Sequence, residues 1–297
     1  MANLRDIRNR ITSIKNTQQI TKAMKMVAAA KLRKAQQRMT ATRPYAKKLR
    51  EVVSKLVNID QVSNILLRQP EEVSKILLIV VGSDRGLCGG FNNNLFRVVE
   101  NAIEDTFSEF QKNDNLDMIT IGRKAEAYFK KRNYNVIDSY PGFFDDLNYN
   151  TCSEIMEKVS GSFADETYDK ILLSLNEFKT VISQNRLVEE ILPIQTKSFD
   201  ESDRTPSKKQ TDYIFEPDAD TILNDILPVY VNMQLWRAVL ESNASEQGAR
   251  MAAMDNATEN AKELEHDLRL KYNQARQSAI TTEISEIVSG AAALEDQ

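Results

Sequence analysis

The residues that could carry out chemistry in this chain are few and scattered. Residues 82–90 form a glycine-rich stretch after an apolar run, but they match neither the P-loop nor the dinucleotide-binding spacing. We therefore expect these glycines to serve tight turning and close packing. Cys88 stands near Arg85 without a neighbouring histidine, which favours a packed thiol over a nucleophile. The only histidine, His266, lacks partners at ligand spacing, so the sequence predicts no catalytic, cofactor-binding or metal-binding residues.

The composition is that of a soluble chain able to build a core. The 297 residues allow one large domain or two ordinary ones, with 41% apolar and 28% charged residues. The apolar run at residues 76–81 is far shorter than the roughly 20 residues that cross a bilayer. Two cysteines cannot form a disulfide framework, which indicates a reducing compartment, and we recognise no secretory leader.

Charge is distributed very unevenly along the chain. Residues 1–50 contain 14 Lys or Arg and one acid, Asp6, for a net charge of +13. The remainder carries −17, although an ordinary globular surface mixes its signs. This asymmetry predicts that the basic segment has an acidic protein partner, a nucleic acid or an anionic membrane against it.

The N-terminal segment is predicted to be one long helix with a coiled-coil seam. Alternating steps of three and four residues from Leu4 to Leu56 give sixteen positions, of which twelve are apolar. The phase continues past Pro44, so we expect a kink there and not a stop. Over residues 2–57 such a helix would be roughly 80 Å long and would have to project from a compact domain.

Three polar seam positions fall together in this helix. They are flanked by apolar residues off the seam, which leaves two interpretations open: local re-phasing of the coiled coil, or a second partner facing this stretch. The polar seam positions are Gln18, Thr21 and Lys25, and the off-seam apolar residues are Ile20, Met24, Met26 and Val27.

The C-terminal segment, residues 218–294, is predicted to be a second long helix. Asp218 or Asp220 can cap its start, and Pro228 is expected to add a bend. Residues 211–297 hold sixteen acids and six bases, so this helix is acidic where the first is basic. We expect the two to pair as an antiparallel coiled coil. Apolar or small residues mark its seam: Ala257, Ala261, Leu264, Leu268, Tyr272, Ala275 and Ala279.

The middle of the chain alternates strand-like and helical stretches, which predicts an α/β domain with a largely parallel sheet. The domain boundaries are expected at residues 1–58, 59–216 and 217–297. The strands are expected at residues 76–81, 117–121, 136–138 and 170–175, with further short ones at 179–182, 188–192 and 213–215. Helices are expected at residues 93–110, 123–131 and 153–163, and a polar loop at 200–210.

The two ends of the chain resemble a known family. Residues 7–39, residues 280–293 (ITTEISEIVSGAAA) and the central GSDRGLCGGFN are similar to the corresponding stretches of the γ subunit of F-type ATP synthases, bacterial type. The ending matches the family's C-terminal signature at Ile280, Thr281, Glu283, Glu286, Gly290, Ala291 and Ala293. The resemblance covers the whole chain and is most specific at both termini.

This resemblance implies the fold and the role of the chain. The fold would be a long antiparallel coiled coil with an inserted Rossmann-like α/β domain. The chain would be a non-catalytic central-stalk rotor subunit that couples proton flow through the membrane to ATP synthesis or hydrolysis on β subunits. Its partners would be the α and β subunits of the hexamer, the ε subunit and the membrane ring of c subunits, with no cofactor. It would lie at the cytoplasmic side of the cell inner membrane as a peripheral protein.

The resemblance also implies which residues contact the hexamer. Met24, Lys25 and Val27 match the part of the first helix that faces acidic loops of the β subunits. The positions matched on the second helix make polar contacts to the ring: Arg250, Arg276, Gln277, Thr281 and Glu283. Arg and Gln suit a moving contact because their hydrogen bonds can break and re-form at successive partners.

One alternative from another class remains, which is nucleic-acid binding through the basic helix. It predicts RNA binding by residues 1–57 that falls steeply with salt. Tyr45 is the only aromatic residue in that stretch, which disfavours binding by base stacking. An enzyme built on the α/β domain would need an active site that the residues do not supply.

Overall fold

The computed structural model describes residues 4–57, 64–194, 216 and 218–295. The chain forms two compact units, one from residues 1–28 with 250–297 and the other from residues 29–249. Two long helices, α1 (Leu4–Val57) and α6 (Ala219–Glu295), contribute to both units. None of the helices in the described ranges is long and apolar enough to cross a membrane.

Both long helices run through their prolines. Pro44 lies inside α1 and Pro228 inside α6, so neither residue stops its helix, as predicted. Asp218 caps the start of α6 by accepting hydrogen bonds from the Thr221 backbone N–H and hydroxyl, each at 2.8 Å. Of the two predicted caps, Asp218 is therefore the one used.

In the unit formed by the chain ends, α1 and α6 pack as an antiparallel pair. The predicted α1 seam keeps its phase, because Ile7 and Ala28 are buried and every seam position between them is buried or half-buried. The residue numbers in each cross-helix contact add to 279 or 280. These contacts join Lys15 to Glu265, Thr21 to Thr258 and Lys25 to Asp255.

Polar partners on α6 explain the polar positions of the α1 seam. The Thr21 and Thr258 hydroxyls are 2.8 Å apart, and the Lys25 ammonium donates to the Asp255 carboxylate. Because these groups are satisfied across the seam, the helix needs no change of phase there. The interpretation of a local re-phasing is therefore wrong, and that of a second partner stays a prediction.

The seam of α6 differs from the prediction at two positions. Leu264 is 49% exposed, whereas the Glu265 side chain is 14% exposed and faces Lys15 at 3.8 Å. Arg269, one turn later on α6, also pairs with Glu265 at 2.7 Å. A carboxylate with two cationic neighbours can occupy a seam position, which apolar spacing alone cannot indicate. Ala279 is also exposed and does not belong to the seam.

The α/β domain contains one five-stranded sheet in the order β3-β2-β1-β4-β5. The first four strands are parallel to their neighbours, and β5 is antiparallel to β4, which confirms the α/β class with a largely parallel sheet. The strands are β1 (Ile76–Val81), β2 (Leu116–Ile121), β3 (Asn135–Tyr140), β4 (Lys170–Phe178) and β5 (Gln184–Leu192).

Helices cover both faces of this sheet. One face packs against α2 and α4, and the other against α5 and the segments of α1 and α6 that belong to the same unit. Covering both faces explains why β1 is a continuous apolar run and why every residue of β1 and β2 is buried. The helices are α2 (Phe91–Thr106), α3 (Ser108–Lys112), α4 (Arg123–Lys131) and α5 (Tyr149–Ala164), with a 3-10 turn at Ile65–Leu67.

Several predicted elements are corrected by the structure. Residues 179–182 are not a strand but the turn between β4 and β5, closed by a hydrogen bond from the Thr180 N–H to the Ser183 carbonyl at 2.9 Å. The single helix predicted at 93–110 is two helices, α2 and α3, separated at Phe107. The predicted strand at 213–215 and loop at 200–210 lie outside the described residues.

Candidate partner-binding surface

The predicted contact residues of α1 divide between the seam and the surface. Lys25 belongs to the seam and pairs with Asp255, and Met24 is half-buried. Val27 is 57% exposed and Ile20 is 59% exposed. Ile20, Met24 and Val27 are spaced i, i+4 and i+7, so they share one helix face that flanks the seam. This face is apolar although it has no partner within the described part of the chain.

The predicted contact residues of α6 fall at two distant places. Arg250 is only 9% exposed, and it lies five residues before Asp255, the partner of Lys25. Arg276 follows 26 residues later, about 39 Å further along the helix. The structure therefore places Arg250 near the Lys25 contact but does not bring it together with the later group. That later group is exposed: Arg276, Gln277, Thr281 and Glu283.

The C-terminal part of α6 has no described helix beside it. The cross-helix register places Leu4, the first described residue of α1, opposite residue 276. Every side chain from Arg276 to Ser289 is exposed. Among them, Thr281 donates its hydroxyl hydrogen bond back to the Gln277 carbonyl at 2.9 Å, within the helix itself. This segment, residues 276–289, is called the bare helix below.

The bare helix carries large aliphatic side chains that sequence reasoning missed as contact residues. They are spaced i, i+4, i+7 and i+8, which forms an apolar stripe on one face. The signal was present in the sequence as the same three-and-four spacing that marks the seams. The stripe residues and their exposures are Ile280 (47%), Ile284 (56%), Ile287 (65%) and Val288 (61%).

The glycine-rich loop after β1 is held in place by close packing. A Cβ on Gly82 would lie 2.8 Å from the Ala125 Cβ, and one on Gly122 would lie 2.9 Å from the Ser83 carbonyl group. Gly122 also has a φ of +95°, in the region that favours glycine. The prediction that glycines of this loop serve turning and packing is confirmed at Gly82, and Gly89, at a φ of 59°, turns the chain.

Asp84 is the hydrogen-bonding centre of this loop. Its side chain is 7% exposed and accepts three backbone N–H bonds, from Arg123 at 3.1 Å, Gly142 at 2.6 Å and Phe144 at 2.9 Å. One carboxylate therefore connects the loop after β1 with the start of α4 and the segment after β3. Such multiple acceptance by one buried carboxylate fixes a loop strongly.

The outer side of the same loop is exposed. Leu87 is 67% exposed and has a φ of 62°, an uncommon conformation for a leucine. Arg85 pairs with Asp145 at 2.9 Å across the surface. Cys88 is buried at 2% exposure, which confirms the packed thiol. The loop therefore presents an apolar side chain outward on a rigid base.

Comparison with known proteins assigns the class of this fold. A family model described as ATP synthase matches residues 3–294, nearly the whole chain. The paired terminal helices and the five-stranded domain are thus those of an ATP synthase protein.

The relatives are more specific. The chain is 48% identical to an ATP synthase gamma chain of Salinibacter ruber, over all of this chain and 99% of that protein. It is 47% identical to an ATP synthase gamma chain of Chloroherpeton thalassium, covering 99% of each. The chain belongs to the ATP synthase gamma chain family. The resemblance noted from its terminal sequences is confirmed.

Solved structures agree with this fold. A chain of the Euglena gracilis mitochondrial ATP synthase, from its OSCP/F1/c-ring structure, superposes with a TM-score of 0.71 at 21% identity over 98% of this chain and 94% of that one. A chain of the Tetrahymena thermophila mitochondrial ATP synthase central stalk and c-ring gives a TM-score of 0.58 at 27% identity. It covers 80% of this chain and 99% of that chain.

Proposed function

We propose that this chain is the central-stalk rotor subunit of an F-type ATP synthase. It couples proton flow through the membrane sector to ATP synthesis or hydrolysis at the β-subunit sites. The observation that carries the proposal is the bare helix, residues 276–289, which exposes every side chain and an apolar stripe. A helix with this exposed apolar stripe requires other protein subunits packed around it.

The physical reason is that helices gain most of their stability from packing of an apolar face. A stripe with two exposed isoleucines a turn apart is unfavourable in water and marks an interaction site. The hexamer of α and β subunits surrounds the bare helix. The polar contacts to it are made by Arg276, Gln277, Thr281 and Glu283.

A second contact lies where α1 meets the hexamer. Met24, Lys25 and Val27 face acidic loops of the β subunits, and Arg250 makes a polar contact to the hexamer from α6. The exposure of Val27 beside the Lys25–Asp255 pair supports this assignment, because an apolar face and a nearby cation are both available there. The ε subunit and the ring of c subunits bind the unit that contains the α/β domain.

The chain itself is non-catalytic in this proposal, and ATP chemistry belongs to the β subunits. Both cysteines are buried, and burial raises the pKa of the Cys152 thiol to about 12, so it is not a poised nucleophile. We place the protein at the cytoplasmic side of the cell inner membrane, held there by the membrane rotor ring. The functional division of the rotor is residues 1–58, 59–216 and 217–297.

Charge reversal at Arg276 tests the proposal. Arg276 is exposed, so Arg276→Glu leaves the fold intact, but the variant loses charge-assisted bonds worth about 1.5–3 kcal/mol to the hexamer. We expect ATP-driven proton pumping by membranes carrying the reconstituted complex to fall, with normal subunit content. Lys112→Glu, an equal change at an exposed residue of α3, is the control and leaves pumping unchanged.

Equal pumping by the Arg276 variant, the control and the unmodified chain would refute the polar contact. Failure of the unmodified chain to assemble with α and β subunits would refute the rotor role itself. In that case, steeply salt-dependent RNA binding would revive the nucleic-acid alternative, which the comparisons do not support.

A further inference from the structure

The β4 strand extends beyond the point where its pairing with β1 ends. The β1 strand follows β4 in register only as far as Val80 opposite Ser174. Further along β4, Asn176 and Phe178 still pair with β5 on the other side. In a strand, the N–H and C=O groups of one residue point to the same side, and the side alternates from residue to residue. Asn176 and Phe178 direct theirs toward the side that β1 has left. Buried backbone groups of this kind need partners.

Side chains of α6 supply those partners in place of a strand. The Ser242 hydroxyl accepts from the Asn176 N–H at 3.2 Å, and the Ser245 hydroxyl donates to the Asn176 carbonyl at 3.0 Å. The Glu241 Oε2 atom accepts from the Phe178 N–H at 2.9 Å. Glu241, Ser242 and Ser245, called the α6 clamp below, are 0–4% exposed. Water therefore does not compete for these bonds.

Glu241 adds a second connection, to α1. Its Oε1 atom accepts from the Arg43 guanidinium at 3.2 Å, while its Oε2 atom holds the strand. The Arg43 side chain is 56% exposed, whereas that of Glu241 is 5% exposed. One buried carboxylate therefore joins α1, α6 and β4. The bond to β4 is sheltered from water, whereas the pair with Arg43 is open to it.

The hairpin beyond β4 also lies against α6. A Cβ added to Gly248 would lie 3.2 Å from the Val181 carbonyl oxygen. The turn between β4 and β5 therefore comes close to the α6 backbone at a position that has no side chain. This contact lies two turns beyond Glu241 on the same helix. The β4–β5 hairpin is thus fixed to α6 at two successive levels.

We propose that Glu241 is a positioning residue that holds the β4–β5 hairpin of the α/β domain to the α1 and α6 segments packed against it. An apolar core already packs these helix segments against the sheet. The α6 clamp adds directional, buried hydrogen bonds at the end of β4, and the bond from the Phe178 N–H to the Glu241 carboxylate is charge-assisted. The inference rests on the proposed rotor function and names the place where the shaft drives the domain. Removing the carboxylate lets the β4–β5 hairpin move against α1 and α6 under torque, so ATP hydrolysis proceeds with less proton pumping.

Two variants of Glu241 separate its two bonds. Glu241→Gln keeps an oxygen that accepts from Phe178 but gives up the charge beside Arg43, which can turn to water. Glu241→Leu removes both bonds. We expect the Gln variant to pump nearly as many protons per ATP hydrolysed as the unmodified complex. The Leu variant should pump several-fold fewer at unchanged ATP hydrolysis.

Amide hydrogen exchange at Phe178 reports the clamp directly. Exchange should accelerate roughly tenfold or more in Glu241→Leu, the factor that corresponds to losing a bond to a charged acceptor. Glu189→Leu is the matched control, since it removes the Glu189–Arg237 pair between β5 and α6, which is about one-third exposed. The control should change neither the pumping ratio nor exchange at Phe178.

Specific outcomes would overturn the inference. One is an unchanged pumping ratio in Glu241→Leu together with faster exchange at Phe178, and another is an equal loss in Glu189→Leu. If the Leu variant does not assemble, Ser242→Ala decides the question, because it removes only the acceptor of the Asn176 N–H; an unchanged pumping ratio there also overturns the inference. Absence of pumping by the unmodified complex would instead refute the rotor function, while exchange at Phe178 would still report the clamp.

Discussion

Replacing Asp117 by asparagine should destabilise the chain through a buried polar cluster at the amino ends of the strands. Asp117 lies in β2 and is 2% exposed. Its carboxylate accepts from the Lys75 ammonium at 2.8 Å, the Tyr168 hydroxyl at 2.7 Å and the Asn135 side-chain amide at 2.6 Å. The three donors come from the segments that begin β1, β4 and β3. One carboxylate therefore fixes the relative positions of four strands.

The expected loss in the free energy of unfolding depends on which contacts an asparagine side chain can still make in place of Asp117. Removing one member of a fully buried ion pair costs about 3–5 kcal/mol. Here the Lys75 side chain is 35% exposed and can turn to water, and the amide oxygen of the substituted side chain still accepts one hydrogen bond. However, its NH2 group would face other donors. We therefore expect the free energy of unfolding to fall by about 2–3 kcal/mol.

The same carboxylate gives a pH dependence with a definite sign. Burial alone would raise its pKa, but the hydrogen bonds from Lys75, Tyr168 and Asn135 and the charge of Lys75 outweigh burial and hold the pKa of Asp117 below its usual value. The unfolded state therefore binds this proton more readily than the folded state does. The contribution of Asp117 is complete above the ordinary aspartate pKa and is lost as the pH falls through its lowered value.

Urea denaturation of the full chain, monitored by circular dichroism, measures both effects. Asp114→Asn is the control, because it makes the same chemical change at an exposed residue three positions earlier. The Asp117→Asn variant should unfold at lower urea at neutral pH and should lose less stability than the unmodified chain on acidification. A variant as stable as the Asp114→Asn control, or one as sensitive to acid as the unmodified chain, would refute the reasoning.

Two further changes probe the loop and the bare helix. Asp84→Ala leaves three backbone N–H groups without their acceptor, so the chain should lose at least about 3 kcal/mol of stability in the same denaturation assay. Ile284→Ser should leave the isolated chain as stable as before, because Ile284 is 56% exposed, but should weaken assembly with α and β subunits by about 1–2 kcal/mol in a binding titration. Unaltered assembly of the Ile284→Ser variant would indicate that the stripe is not buried in the complex.

The α1 seam could be predicted from the sequence because its spacing extends over fifteen steps. Local exceptions such as Thr21 and Lys25 cannot disturb a phase set by so many apolar positions. The pairing of α1 with an acidic helix could likewise be predicted from charge. The spacing did not predict which residues pair with the polar seam positions. Those partners, Thr258 for Thr21 and Asp255 for Lys25, depend on the register between the two helices.

Two of the sequence predictions are wrong for a common physical reason: contacts made in the folded chain override the local sequence pattern. Glu265 displaced Leu264 from the seam because Lys15 and Arg269 neutralise it. The stretch 179–182 contains Val181 and Ile182, which favour a strand, but it turns between β4 and β5. Local propensity is overridden there by the pairing of the two strands it connects.

The charge asymmetry of the sequence has two physical components in the structure. Part of the basic charge of α1 is matched within the chain, because Lys15, Lys25 and Arg43 pair with acids of α6. Other bases of α1 are exposed and form no ion pair with any described residue: Lys31, Arg33, Lys34 and Arg38. In the proposed rotor, such solvated cations would suit an interface that slides past successive partners, because their bonds to acidic groups can break and re-form. The paired bases, in contrast, hold the two helices together, so substitutions of Lys15 and Lys34 should affect different properties: the first the stability of the helix pair, the second its contact with the surrounding subunits.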